Sequence, residues 1–136
     1  MTSKTPLEIV AILADSLRTG DNQGFIENFD EAAVFEQPFS SSPNSRLEGL
    51  AAIQQAYSKS NPLRRKIRID KVTTDIYEGK DGDTLTVAFF ITGMQMASNE
   101  PFSINSSVCI IRFQNGKIIS YKDYPNSAGF MAIVSG

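Results

Sequence analysis

The chain has 136 residues, a formal charge of −2 from 13 basic and 15 acidic side chains, a single cysteine, and neither histidine nor tryptophan. That length suits one domain, 1–136, with a core large enough to need no staples. The lone Cys109 excludes an internal disulfide and a cysteine-cluster metal site, and the missing histidine excludes Ser-His-Asp and Cys-His catalysis, leaving acid–base work to carboxylates, tyrosines or lysines.

Thr5-Pro6-Leu7-Glu8 reads as a capping box with proline at the first helical position. Leu7, Val10, Leu13, Ala14 and Leu17 then recur at helical spacing, and Gly20 is the stop. Asp21 caps a second short helix with Phe25, Ile26 and Phe29 on its apolar face. Ala33–Phe39 reads as a strand that Pro38 ends or confines to an edge, followed by a loop over Ser40–Ser45. Glu48-Gly49-Leu50 opens a third helix, with Leu50, Ile53 and Tyr57 on one face, which Asn61-Pro62 ends.

Strands fill most of the rest. Ile67 and Ile69, then Val72, Thr74 and Ile76, alternate with a change of phase that predicts a bulge near Asp70-Lys71. Turns at Lys80–Asp83 and Ala97–Pro101 separate the long strands Thr84–Met96 and Phe102–Phe113, and Asn115-Gly116 signals a primed hairpin turn into Lys117–Pro125. This order predicts an α+β fold: one curved antiparallel sheet with three helices from the N-terminal half on its concave face.

A sequence pI near 5.1 gives no attraction for nucleic acid or an anionic membrane, so neither is expected as a partner. No segment approaches transmembrane length and no signal-type apolar run opens the chain, so a reducing, cytoplasmic location is expected. The basic cluster Lys59, Arg64, Arg65, Lys66 and Arg68 reads as a solvated face, with an anion-binding patch as the alternative. Asp81 and Asp83 lack the ligand series of a calcium loop, so no metal site is expected.

Four segments taken in order carry a resemblance: Leu17-Arg18-Thr19-Gly20-Asp21, Ala33-Val34-Phe35-Glu36-Gln37-Pro38, Leu47–Ile53, and Ile111–Ile118. Tyr121-Lys122-Asp123-Tyr124 adds a likeness to a frequent terminal Arg-Asp-Tyr segment. Over residues 5–125 the chain resembles the nuclear transport factor 2-like, or cystatin-like, α+β barrels. It looks most like the SnoaL-like polyketide cyclases and ketosteroid isomerase-related proteins. The resemblance implies a conical cavity closed by the helices, a homodimer formed through the outer sheet face, and chemistry without a cofactor. The isomerases place an aspartate base before a proline on the first strand, a tyrosine on the first helix and a protonated aspartate on the third long strand. The matching positions here are Gln37, Leu13 and Cys109, so steroid isomerisation of that kind is not expected.

Strand alternation and the resemblance together give one inward set: Phe35, Gln37 and Phe39; Val87, Phe89, Ile91 and Gly93; Asn105, Ser107, Cys109 and Ile111; Tyr121 and Asp123. The outward set, Phe90, Met94, Met96, Val108 and Ile110, is apolar and supports the dimer. Asp123, in apolar surroundings, has the raised pKa of a general base. Some cyclase-type members of the resembled family carry a catalytic aspartate on this strand. A structural aspartate, held by backbone N–H groups or paired with Lys122 or an arginine, is the alternative. A small apolar or amphipathic ligand would meet Phe35, Gln37, Phe39, Tyr57, Phe89, Ile91, Asn105, Ser107, Cys109 and Tyr121. Tyr57 and Tyr121 are either oxyanion donors or core residues, Gln37 and Asn105 either ligand-fixing amides or local ones, and Cys109 a small buried thiol. The tail, 126–136, is either a flexible end or a cap over the cavity. Three functions fit: a cofactor-free isomerase or cyclase, a non-catalytic ligand-binding domain, and a dimeric assembly module whose cavity is only core.

Overall fold

The computed structural model describes residues 4–42, 45–58 and 62–135; Lys59 of the basic cluster and Asn61 of the helix stop lie outside them. Thr5 Oγ1 accepts the Glu8 N–H at 3.2 Å and the Glu8 carboxylate accepts the Thr5 N–H at 3.1 Å, starting α1 (Pro6–Thr19) at its capping box. Gly20 closes it with φ 81°, a left-handed conformation suited to glycine. Helix α2 (Gln23–Ile26) is shorter than expected, because Phe29 opens strand β1 (Phe29–Glu36) instead of completing the helical face.

Strand β1 stops one residue before Gln37, whose N–H bonds the Ser45 carbonyl at 2.7 Å. The chain returns as a short strand β2 (Arg46–Glu48) before α3 (Leu50–Tyr57) and a 3-10 turn at Pro62–Lys66. Four long strands follow: β3 (Ile67–Glu78), β4 (Thr84–Gln95), β5 (Pro101–Gln114) and β6 (Lys117–Pro125). Asn115 and Gly116 have φ of 53° and 76°, as the primed turn requires. The last element, α4 (Ser127–Ser135), is a helix. Asn126 fixes its start, donating to the Asn105 carbonyl at 2.8 Å and accepting the Gly129 N–H at 2.9 Å.

The six strands form one sheet in the order β2-β1-β6-β5-β4-β3. The expected all-antiparallel pairing holds except between β1 and β6, which run parallel. Parallel neighbours need a long crossover, and everything from Gln37 to Gly116 supplies it. The expected bulge in β3 falls between Ile69 and Lys71. There β3 lies so close to its antiparallel neighbour β4 that a Cβ on Gly93 would run into the Arg68 carbonyl.

Helices α1 and α3 lay Ile9, Val10, Leu13 and Ile53 against Phe35, Val87, Phe89, Ile111 and Ile118 of the sheet. A second cluster lies under α4, where Ile133 meets Ile67, Ile69 and Ile91. Burial of these side chains is the main drive for the sheet to curve around the helices. Among the described residues, no helix is long and apolar enough to cross a membrane.

Candidate functional site

A bulge in β5 decides what faces the helices. Pairing with β4 slips between Phe89↔Ser107 and Phe90↔Asn105, leaving Ser106 as the extra residue. Ser106 is buried and donates its hydroxyl to the Phe89 carbonyl at 3.1 Å. Beyond the bulge, Ser107, Cys109 and Ile111 keep the expected inward phase. Before it, Phe102 and Ile104 pack inward under α4, and Asn105 is exposed.

Cys109 of β5 pairs with Asp123 of β6, which brings the thiol within 3.4 Å of the Asp123 carboxylate. From the other side, Gln37 donates its amide to Asp123 Oδ2 at 3.0 Å. The carboxylate thus has two donors and no cationic partner among the described residues. Burial raises its pKa, with the bonds from Gln37 and Cys109 opposing that rise. Burial likewise pushes up the Cys109 thiol and the Tyr57 and Tyr121 phenols, and the nearby Asp123 charge adds to each.

Asp123 opens onto a cavity with two adjoining lobes. The inner lobe, of about 180 Å³, is walled by Leu13 and Phe25 from the helices, Tyr57 from α3, and Phe89, Ser107 and Tyr121 from the sheet. The outer lobe, of about 1080 Å³, shares Tyr57, Ser107 and Asp123 and extends past Phe35 and Gln37 to Arg64 and to Phe130 of α4. Four aromatic rings form one wall. Phe35 stacks on Tyr121 with centroids 5.3 Å apart, and Phe25 meets Tyr57 edge-on at 5.0 Å. Asn22 donates to the Tyr57 carbonyl at 3.1 Å and ties the two helical walls together.

Phe35, Gln37, Tyr57, Phe89, Ser107, Tyr121 and Asp123 are therefore brought together at the cavity, with Cys109 directly behind Asp123. Three expected members are not. Phe39 is 88% exposed and packs edge-on against Tyr124, because β1 ends before Pro38. Asn105 is turned out by the Ser106 bulge. Ile91 is buried under α4, in the cluster with Ile133. The sequence reading missed Ser16, Asn22 and Arg64. Arg64 carried a signal as part of a basic cluster; Ser16 and Asn22 carried none.

Among the described residues, no group of three or more histidine, cysteine, aspartate or glutamate side chains could hold a metal ion. What the arrangement offers is a basic carboxylate, phenol and hydroxyl groups, and an aromatic slot.

A family model for the SnoaL-like domain matches residues 10–121. The uncharacterized protein YesE of Bacillus subtilis is 33% identical over 109 residues, covering 78% of this chain and 71% of that protein. Among solved structures, a candidate isomerase from Bacillus subtilis superposes with a TM-score of 0.70 at 27% identity, covering 90% of this chain and 86% of the other. A candidate polyketide cyclase from Pseudomonas putida gives 0.67 at 17%, covering 96% and 98%. Solved neighbours of this kind have the cystatin-like, nuclear transport factor 2-like fold.

Proposed function

Because the chain belongs to the SnoaL-like domain family, we propose that it binds a small, largely apolar molecule and acts on it as a cofactor-free isomerase or cyclase. Asp123 is the general base. It takes a proton from a carbon next to a carbonyl and returns it at another position of the same molecule, so no oxidant or reductant is needed. Tyr57, Tyr121 and Ser107 are among the hydroxyl groups lining the cavity, and they are the ones assigned to meet the developing enolate oxygen. The observation that carries this reading is Asp123 itself, a half-buried, partly desolvated carboxylate of raised basicity at a cavity wall of aromatic rings.

One observation favours binding without chemistry. Leu13 and Cys109 stand where the resembled isomerases carry their oxyanion donors, and Cys109 is turned to Asp123. The outer sheet face supports a homodimer: Phe90, Val108 and Ile110 are partly exposed and belong to neither buried cluster. A free buried thiol agrees with a cytoplasmic location.

The test is a thermal-shift screen of aromatic ketones and phenols, followed by mass spectrometry of the bound compounds in heavy water. Deuterium uptake or turnover that vanishes in Asp123→Asn supports catalysis. Stabilisation with no chemical change leaves binding alone. If no compound stabilises the protein, both readings fall.

A further inference from the structure

One member of the basic cluster differs from the rest. Arg65, Lys66 and Arg68 are exposed, and Arg68 is paired with Asp70 at 2.6 Å. Arg64 is half-buried, lines the outer lobe of the Asp123 cavity, and has no ion-pair partner among the described residues. Its position is fixed. Nη2 donates to the Leu17 and Arg18 carbonyls at 3.0 and 2.7 Å, capping the end of α1. Its Nε, Nη2 and Cγ lie against Gly20, where a Cβ would come within 3.6 Å of Nε and 3.9 Å of Cγ.

The helix cap uses only Nη2. The N–H groups of Nε and Nη1 have no hydrogen-bond acceptor among the described residues. A held, partly desolvated guanidinium that lines a cavity, with two nitrogens that meet no acceptor among the described residues, is a recognition group for an oxyanion. Asp123 lies in the same cavity, so an anion would avoid that wall and leave it to the uncharged part of the ligand.

We propose that Arg64 selects an amphipathic anion: an aromatic or alicyclic body carrying one carboxylate or similar acidic group. The acid sits on Arg64 and the body extends among the rings toward Asp123. This inference rests on the reading of the cavity as a ligand site and narrows the ligand to those bearing an acid.

Two fluorescent probes test it: anilinonaphthalene sulfonate and neutral phenylnaphthylamine, which share one ring system and differ by the anionic group. The chain has no tryptophan to interfere. The wild-type protein should bind the sulfonate about tenfold more tightly or better. Arg64→Gln should bring the two probes to parity without weakening the neutral one, and Arg64→Lys should retain part of the preference. Unchanged affinity for the neutral probe shows that Arg64→Gln remains folded. Equal binding by the wild type, or a preference that survives Arg64→Gln, overturns the role of Arg64 and leaves the cavity reading standing. Failure of the wild type to bind the neutral probe, or binding unaltered by the cavity-filling Ser107→Phe, overturns the cavity reading and this inference with it.

Discussion

Gln37 and Asp123, 86 positions apart, are joined by an amide-to-carboxylate hydrogen bond of 3.0 Å. It exists because Gln37 lies just past the end of β1 and Asp123 lies in β6, which runs parallel beside it. A bond donated to a carboxylate stabilises its charged form. Gln37→Leu should therefore move the Asp123 titration to higher pH and cost about 1–3 kcal/mol at neutral pH, and less in acid. Carboxyl-carbon NMR titration and urea unfolding at two pH values check this.

Asp123 should also leave a mark on stability. Its pKa is raised in the fold by burial, so between the unfolded and folded values the folded state binds more protons than the unfolded one. Its contribution is thus most favourable below the ordinary aspartate range and is lost as pH rises through the raised folded value. Asp123→Asn removes that loss. The Tm of the variant minus that of the wild type should grow from about pH 4 upward and level off once the folded carboxyl is ionised. A gap that stays flat would contradict it.

Gly93 is required by the close approach of β3 to β4 at the β3 bulge. Gly93→Ala sets a methyl group against the Arg68 carbonyl, which is backbone and cannot swing aside. The expected cost is about 2 kcal/mol or more, with the bulge at Ile69–Lys71 as the region that shifts. Thermal unfolding measures the loss, and amide exchange locates it.

On the outer sheet face, Phe90→Lys with Ile110→Lys should halve the solution mass seen by light scattering. Circular dichroism should be unchanged, because neither side chain belongs to a buried cluster. A wild-type protein that is already monomeric would refute the dimer.

Local signals carried much of the fold. The Thr5 box, the Gly20 stop, the Asn115-Gly116 turn and the β3 bulge each depend on a few adjacent residues, and each formed where those residues put it. The parallel β1–β6 pairing depends on contacts between distant segments, which alternation within a strand does not encode.

The site was legible to the same degree. Asp123 with Tyr121 follows alternation within β6, and Gln37 keeps the phase of Phe35 although β1 ends at Glu36. Asn105 was misplaced by the bulge at Ser106. Ile91 has the right phase but lies too far along β4, and phase says nothing about distance along a strand.

Strand β6 sits between β1 and β5, so among the described strands the last in chain order is inserted next to the first. On the ribosome, the N-terminal helices and β1 emerge with no completed sheet to close upon. Until Asp123 leaves the exit tunnel, Phe35 has no Tyr121 to stack on and Gln37 no carboxylate to meet. Closure of this fold consequently waits for β6 and is set by long-range contacts, and a nascent chain stalled before β6 would leave its aromatic wall uncovered.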